Sequence, residues 1–327
     1  MLDAPLSPKN WARGRLTIMA ALLVSGWAIM AGPAAIRAGA VPGTTTLDCG
    51  QVQSAILGYS VAYCVDLPAD YAAGAKRYPV LYVLHGLFEN ERSWAERGGK
   101  DVLDGMLAKG EAEPFIVVCP DAGKTFYVNS YDGKVRYEDF FVQEFIPYID
   151  QHYRTIASSA SRGLFGISMG GFGSLHIGFR HANLFGAVSA QSAALLPKLP
   201  NPFPATRRWQ FYAQLLQEPF GSPLNDAYFE ASNPIDLAGH PETFKNLKLY
   251  FDCGDKDRYG FQEGNQLLDQ ELTSEHFPHE FALRDGDHGW SYEEEYMHFA
   301  LQFHNEQFQQ ATASTSPAKK AAGGRSR

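Results

Sequence analysis

The segment RGLFGISMGGFGSLHIGF, residues 162–179, joins an apolar run, a serine between small residues and a second apolar run. It predicts a strand, a sharp turn at Ser168 and a helix, which is the arrangement of the G-x-S-x-G nucleophile elbow. Gly166 and Gly170 permit a tight turn because glycine has no Cβ. A serine on such a turn is accessible to a neighbouring base, as nucleophilic catalysis requires. The pattern alone also describes an ordinary glycine-rich turn, so the rest of the chain must decide its meaning.

Further apolar runs predict buried strands on both sides of this segment. They are PVLYVLHGL (79–87), PFIVVCPD (114–121), FGAVSAQSAAL (185–195), LKLYFDCG (247–254) and the start of HEFALRDGDHGW (279–290). Amphipathic segments at about 101–109, 137–153 and 292–308 predict helices between and after them. This alternation predicts an α/β fold with a mostly parallel central sheet and helices on both faces. In such sheets the functional residues gather at the carboxyl ends of the strands.

Composition and charge restrict the possible partners. The 327-residue chain has a formal net charge of −8 and no long basic stripe in the part predicted to fold, which argues against an extended nucleic-acid surface. Its four cysteines do not have the spacing of zinc ligands. We therefore expect no nucleic-acid partner, no metal and no organic cofactor.

The N-terminus has the features of an export signal. Basic residues precede an apolar run from Leu16 to Met30, and small residues end at Ala40. This order predicts a signal peptide over residues 1–40 and a secreted or periplasmic protein without stable membrane insertion. An uncleaved anchor is the alternative, since the apolar stretch is almost long enough to span a bilayer. At the other end, residues 311–327 are rich in small and basic residues and are predicted to be disordered.

Two of the cysteines are predicted to form a disulfide. Cys49 and Cys64 flank two short segments of alternating polarity joined near Gly58. If these segments form a hairpin, the two cysteines lie opposite each other near its open end. Cys119 and Cys253 end buried strand-like runs and are expected to be free, apolar residues.

The remaining residues, 41–310, are assigned to one catalytic domain with an insertion. Residues 197–231 interrupt the alternation with a proline-rich stretch and a short helix near 211–217. This segment is too long for a plain connection and is predicted to be a cap over the active site. A surface insertion without substrate contact is the alternative.

A serine nucleophile needs a histidine base and a carboxylate that orients it. Among the histidines beyond the elbow and the next two strands, His288 alone follows a strand in a glycine-rich loop. Asp257, Asp255 and Asp252 compete for the role of the acid. We rank Asp257 first because it lies farthest into the loop that must reach His288, and Asp255 second.

The oxyanion hole is expected to consist of two backbone N–H groups. One belongs to Met169, directly after the nucleophile, and the other to Leu87, in the loop after the strand at 79–84. His85 lies in the same loop and is interpreted as a structural residue.

Five motifs together resemble those of the esterase D-like, or “putative esterase”, family of α/β-hydrolases. They are VLYVLHGL (80–87), EFIPYIDQHYR (144–154), GISMGGFGSL (166–175), CGDKD (253–257) and DGDHGW (285–290). The family includes feruloyl esterases, S-formylglutathione hydrolases and antigen 85 mycolyltransferases, and the likeness extends from Cys49 to Phe308.

The resemblance implies an α/β-hydrolase fold and a role for each motif. It places the nucleophile on Ser168, the acid on Asp257, the base on His288 and the oxyanion donors on Leu87 and Met169. The segment 197–231 departs from the pattern, and with it the substrate is left open.

The sequence thus predicts a secreted serine carboxylesterase acting on a small-molecule or glycan-linked ester. An acyltransferase that passes the acyl group to a sugar hydroxyl and a non-catalytic binding protein are the alternatives. Trp94, Tyr127 and Trp290, and also Tyr131 and Trp209, are candidates for contact with an aromatic acyl group such as ferulate or with a sugar ring. The oligomeric state is left open.

Overall fold

The computed structural model describes residues 44–200 and 202–315, and its centre is an eight-stranded sheet. The strands are β1 (Thr46–Gln53), β2 (Ser60–Leu67), β3 (Val80–Leu84), β4 (Ile116–Pro120), β5 (Arg162–Ile167), β6 (Ala187–Gln191), β7 (Lys248–Gly254) and β8 (Glu280–Arg284). Their order is β1-β2-β4-β3-β5-β6-β7-β8. β2 pairs antiparallel with β1 and β4, and the strands from β4 to β8 are parallel. The expected mostly parallel sheet is confirmed.

In the described ranges, ten α-helices lie between the strands or after the last one. They are α1 (Ser93–Glu96), α2 (Gly99–Lys109), α3 (Tyr137–Phe140), α4 (Ile146–His152), α5 (Met169–Arg180), α6 (Arg207–Phe220), α7 (Asp226–Glu230), α8 (Pro234–Leu237), α9 (Phe261–Ser274) and α10 (Trp290–Thr315). None of them is both long enough and apolar enough to cross a bilayer.

Alternate residues of β3 show how the sheet is buried on both faces. Val80, Tyr82 and Leu84 pack in one apolar cluster with residues of α4, α5 and α9. Leu81 and Val83 pack in a second cluster with residues of α2 and α10. Because successive side chains of a strand point to opposite faces, the unbroken apolar run of β3 serves both clusters. The fold is the three-layer α/β-hydrolase architecture.

The N-terminal hairpin has the predicted covalent link. Cys49 lies opposite Cys64 in the register of β1 and β2, and a disulfide joins them. Cys119 and Cys253 are buried and free. The disulfide ties the edge strand β1 to its only neighbour in the sheet.

Three helical regions differ from the sequence prediction. The helix expected over 137–153 contains a π-helical turn, Phe141–Phe145, and Pro147 lies directly after it, at the second residue of α4. α6 is longer than the predicted 211–217, and the sequence interpretation missed α9.

The predicted termini fall largely outside the described residues. The export signal, 1–40, lies wholly outside them, as do 316–327. Residues 311–315 belong to the last turns of α10 and are helical, whereas disorder was expected to begin at 311.

Candidate active site

Ser168 occupies the turn between β5 and α5. Its φ of 56° and ψ of −115° lie in a region that non-glycine residues rarely adopt. A Cβ at position 166 would lie 1.9 Å from the carbonyl oxygen of Gly170, and one at position 170 would lie 1.9 Å from that of Leu84. Gly166 therefore allows the first turn of α5 to lie against β5, and Gly170 allows it to lie against the end of β3. The turn leaves the Ser168 side chain at the carboxyl end of β5.

Ser168, His288 and Asp257 form a continuous hydrogen-bonded chain. His288 Nε2 lies 3.1 Å from Ser168 Oγ, and His288 Nδ1 lies 2.8 Å from Asp257 Oδ2. Since a carboxylate only accepts, Nδ1 carries the proton, and Nε2 is free to accept the serine proton. The Asp257 side chain is fully buried and that of His288 is 11% exposed. This is the relation that a nucleophile, a base and an orienting acid require.

The loops that carry His288 and Asp257 are joined by hydrogen bonds. Asp287 Oδ1 accepts from the backbone N–H groups of His288 and Arg258, both at 2.7 Å. The Arg258 guanidinium also pairs with Asp287 at 2.6 Å, and its hydrogen bond lowers the pKa of Asp287 to about 2. Asp257 Oδ1 accepts from Tyr259 N–H at 2.8 Å. These bonds connect the loop after β7 with the loop between β8 and α10.

The two competing aspartates have other partners. Asp255 Oδ1 accepts from Gly286 N–H at 3.0 Å. Asp252 is wholly buried and accepts from the hydroxyls of Tyr250 and Tyr292 at 2.7 and 2.8 Å. Burial raises the pKa of Asp252 to about 6. Asp257 is therefore the one of the three that contacts His288.

The loop after β3 is shaped by His85. The Nε2 atom of His85 accepts from Ala122 N–H at 2.9 Å, so the ring proton is on Nδ1, which donates to Gly86 O at 2.7 Å. Leu87 follows in this loop and faces the cavity beside Ser168. The N–H groups of Leu87 and Met169 donate no hydrogen bond within the described residues. Both are available to an oxyanion near Ser168.

A cavity of about 280 Å³ opens above the triad. Its walls come from the loop after β3, the elbow, α6, the loop after β7 and the start of α10. They are lined by Gly86, Leu87, Phe88, Glu89, Ile167, Ser168, Phe211, Tyr212, Leu215, Tyr259, His288, Gly289, Trp290 and Glu293. The lining is mainly apolar and aromatic, with the triad at one side.

Of the five aromatic candidates, Trp290 is the one that lines this cavity. The Trp94 ring is 3% exposed and its Nε1 donates to Asp66 in the core. Tyr127 is fully buried and donates to His85 O. Trp94 and Tyr127, two of the predicted substrate contacts, are thus buried in the protein and do not line this cavity. Tyr131 and Trp209 are not among the lining residues either.

The sequence reasoning missed three apolar or aromatic lining residues of α6 and two carboxyl groups. Phe211, Tyr212 and Leu215 of α6 form one wall, at the i, i+1 and i+4 positions of one helix. Glu89 follows the loop after β3, and Glu293 lies in the first turn of α10. A signal for Glu293 was present, since it is an acidic residue one helical turn beyond the loop that carries the base.

No metal-binding arrangement is found in residues 44–200 and 202–315. There, no three histidine, cysteine, aspartate or glutamate side chains are grouped to hold an ion.

Sequence comparison finds esterases among the relatives of this chain. The family model described as “Putative esterase” matches residues 54–309. An esterase of Mycobacterium tuberculosis strain H37Rv is 28% identical over 214 residues, which are 62% of this chain and 44% of that protein. An endo-1,4-beta-xylanase/feruloyl esterase of Xylanibacter ruminicola is 37% identical over 130 residues, 37% of this chain and 18% of that protein. The chain therefore spans less than half the length of the curated relatives it matches.

Solved structures share the same architecture. A ferulic acid esterase superposes with a TM-score of 0.69 and 30% identity, over 81% of this chain and 99% of that one. An S-formylglutathione hydrolase from Agrobacterium tumefaciens gives a TM-score of 0.66 at 19% identity, over 82% and 98% of the two chains. The second likeness is one of fold.

Proposed function

The chain belongs to the “Putative esterase” family of α/β-hydrolases, and on that premise we propose that it hydrolyses carboxylic esters with Ser168 as nucleophile. The observation that carries the proposal is the hydrogen-bonded chain from Ser168 through His288 to Asp257, with distances of 3.1 and 2.8 Å. The buried acid and the nearly buried base lie beside an apolar cavity that holds the serine.

The geometry supports a two-step reaction. Ser168 Oγ attacks the carbonyl carbon while His288 Nε2 takes the serine proton, and Asp257 stabilises the imidazolium. The N–H groups of Leu87 and Met169 donate to the oxyanion of the tetrahedral intermediate.

Collapse of that intermediate completes the first step and prepares the second. The ester C–O bond breaks, and the alcohol leaves with the proton from His288. Water, deprotonated by His288, then attacks the acyl-enzyme, and the acid is released with Ser168 restored.

The substrate class follows from the cavity and the relatives. Phe88, Phe211, Tyr212 and Trp290 present aromatic surface around the nucleophile, and a ferulic acid esterase is 30% identical over most of this chain. We propose an ester with an aromatic or other apolar acyl group, such as a ferulate ester, including one linked to a carbohydrate.

The domain and location assignments are part of the same proposal. Residues 41–310 form the esterase domain, and residues 197–231 form a cap, as the contribution of α6 to the cavity supports. Residues 1–40 act as an export signal for a secreted or periplasmic enzyme. The Cys49–Cys64 disulfide supports that location, because cysteine pairs persist in oxidising compartments.

A substrate panel tests the proposal. It contains p-nitrophenyl esters of increasing acyl length, methyl ferulate and an acetylated sugar, each assayed with the wild type and with Ser168→Ala. We expect hydrolysis by the wild type and loss of about 10⁴-fold or more in kcat for the variant. Equal activity of the two proteins would contradict the proposal and favour a non-catalytic binding role. Product analysis with and without a sugar acceptor separates hydrolysis from acyl transfer.

A further inference from the structure

Two carboxyl groups lie in the wall of the cavity above the triad. Its lining includes the carboxyl groups of Glu89 and Glu293, and no described lysine or arginine side chain is part of it. The rest of the lining is mainly apolar, so a charge on the substrate is screened weakly there. The reaction proposed above does not use either carboxyl group.

Glu89 is engaged by the protein itself. Its Oε2 accepts from Gly86 N–H at 3.1 Å, and its Oε1 accepts from the Trp290 indole at 2.6 Å. Arg97 Nε lies 4.0 Å from Oε1. Glu89 therefore holds the loop after β3 against the start of α10. A substitution of Glu89 would disturb that loop, which carries Leu87.

Glu293 has a different environment. It is 1% exposed, and its Oε1 accepts from Gly289 N–H at 3.2 Å, one residue after the base. It forms no ion pair within the described residues. The other titratable groups in the lining are His288, Glu89 and the phenols of Tyr212 and Tyr259, with Asp257 behind His288. Two cations contact lining residues: Arg97 lies beside Glu89, and Lys124 Nζ lies 5.4 Å from the centre of the Phe88 ring.

Burial is the main cause of a raised pKa for Glu293, to about 7. The charge of Glu89 acts in the same direction, whereas His288 and the Gly289 N–H act against it. The carboxyl is therefore neutral in weakly acidic solution and negative in weakly basic solution, the range in which a triad enzyme is assayed.

We propose that Glu293 is a specificity-determining residue that sets the charge preference of the cavity. Esters whose acyl chain carries an anion into the cavity are disfavoured against neutral esters of the same length, and esters whose acyl chain carries a cation are favoured. The discrimination strengthens as the pH rises. The inference rests on the proposed esterase function, because the hydrolysis rate is its readout.

The ratio of two kcat/KM values separates this effect from the chemistry. A neutral and an anionic ester of the same length use the same nucleophile, base and oxyanion donors. Titration of His288 therefore cancels in their ratio, and so does the overall rate of a variant. What remains is the interaction of the extra charge with the cavity.

Three matched esters provide the test. They are p-nitrophenyl methyl adipate, which is neutral, mono-p-nitrophenyl adipate, which is anionic, and p-nitrophenyl 6-aminohexanoate, which is cationic. For the wild type between pH 5.5 and 8.5, we expect the neutral-to-anionic ratio of kcat/KM to rise about tenfold, and the cationic-to-neutral ratio to rise as well. In Glu293→Gln both ratios should be independent of pH.

Glu294→Gln is the matched control, because Glu294 is exposed, lies on the same helical turn and does not line the cavity. It should keep the wild-type ratios. A flat ratio in the wild type would overturn the inference without any variant, and so would a pH-dependent ratio that survives in Glu293→Gln. If the wild type hydrolysed none of these esters or those of the first panel, the proposed function itself would fail and this inference with it.

Discussion

At the scale of single residues, the site depends on how closely backbone segments approach at the elbow. Ser168 is held at a positive φ, which costs about 1 to 3 kcal/mol for a residue with a side chain. The surrounding contacts maintain that conformation. Ser168 N–H donates to Gln191 O at 3.0 Å, and Gly170 passes directly against the carbonyl of Leu84. The strained turn is the means by which the hydroxyl is presented to His288.

The identity of the acid yields a prediction with an internal control. In Asp257→Asn we expect kcat/KM for a p-nitrophenyl ester to fall about 10³-fold or more, because the amide no longer favours the Nδ1–H tautomer of His288 or its protonated form. Asp255→Asn, two residues away, keeps an oxygen that can accept from Gly286 N–H and removes a charge 3.9 Å from Lys256 Nζ, so it should cost less than about tenfold. Equal losses in the two variants, or a larger loss in Asp255→Asn, would show that Asp257 is not the acid that orients His288.

Some residue roles were readable from the sequence and others were not. Chain order and loop composition led to Ser168 and His288, because glycine-rich loops after parallel strands have few structural uses. The aromatic residues were not readable in the same way. Tyr127 and Trp94 lie near the catalytic loops in sequence, yet their polar atoms find buried partners, His85 O and Asp66. Which way a loop side chain points depends on such tertiary partners.

At the scale of elements, α6 supplies a wall of the cavity. Phe211 is 47% exposed, and its ring stacks on that of Phe88 with 6.0 Å between the ring centres. Phe88 directly follows Leu87 in the loop after β3. Phe211→Ala should raise KM for an apolar ester about tenfold with a smaller change in kcat, since the ring contacts the acyl or alcohol group and not the reacting atoms. Steady-state kinetics with p-nitrophenyl esters test this. Gln214→Ala, at an exposed position of the same helix, is the control. An unchanged KM in Phe211→Ala would show that α6 does not contribute to substrate binding.

The N-terminal hairpin is predicted to stabilise the protein without contributing to the site. β1 and β2 lie at the edge of the sheet, and β4 and β3 separate them from β5. The disulfide closes a loop with a sequence separation of 15, which corresponds to about 3 kcal/mol in the chain-entropy description. The double variant Cys49→Ser, Cys64→Ser should lose about 2 to 3 kcal/mol of unfolding free energy in urea and keep its kcat/KM.

Reduced wild-type protein should match the double variant in the same measurement. Loss of ester hydrolysis at temperatures where the double variant is still folded would show that the hairpin affects the site.

Strands and helices with one clear hydrophobic pattern were predicted from the sequence, and those with a mixed pattern were not. The apolar runs of β3 to β7 predicted buried strands, because a continuous apolar run needs to be covered on both faces of the sheet. α9 has its buried residues Phe261, Leu268 and Leu272 on one face, but Gly264 and Asn265 are also buried and weaken the apolar period. Asn265 is held by Ala193 O and Phe261 O at 2.9 Å. This polar core contact has no pattern in the sequence.

At the scale of the whole molecule, buried acids govern the dependence of stability on pH. Asp252 is wholly buried, and its pKa is raised from 3.8 to about 6. Between these values the unfolded chain ionises this group while the folded protein keeps the proton. The contribution of Asp252 to stability is therefore complete below pH 4 and is lost as the pH rises through 6.

The expected size of this loss is about 3 kcal/mol. Urea unfolding of the wild type and of Asp252→Asn at pH 4, 5, 6 and 7 should show a difference in unfolding free energy that shifts by this amount in favour of the variant as the pH rises. Glu138, whose pKa is lowered by hydrogen bonds from His176 and His181 although burial opposes them, contributes in the opposite direction but equally in both proteins. A difference that is constant with pH would contradict the assignment.

The architecture as a whole followed from the order of strands and helices, whereas the neighbour relations of the strands did not. Nothing in the periodicity places β3 between β4 and β5. The length of the segment 197–231 predicted a cap over the active site, but no regular pattern in it indicated which residues of α6 would line the cavity. Sequence therefore led to the class of fold and to three side chains that the structure brings together, Ser168, His288 and Asp257, whereas tertiary packing determined the shape of the pocket.

Covalent labelling tests the central claim that Ser168 is the nucleophile of an acyl-transfer reaction. The full-length protein is treated with a fluorophosphonate, and intact-mass and peptide mass spectrometry locate the adduct, with Ser168→Ala and Asp255→Asn treated in parallel. The account predicts one adduct on Ser168 in the wild type and in Asp255→Asn, loss of ester hydrolysis in proportion to labelling, and no adduct in Ser168→Ala. An unlabelled wild type that still hydrolyses esters, or an adduct on another residue accompanied by full inactivation, would contradict it.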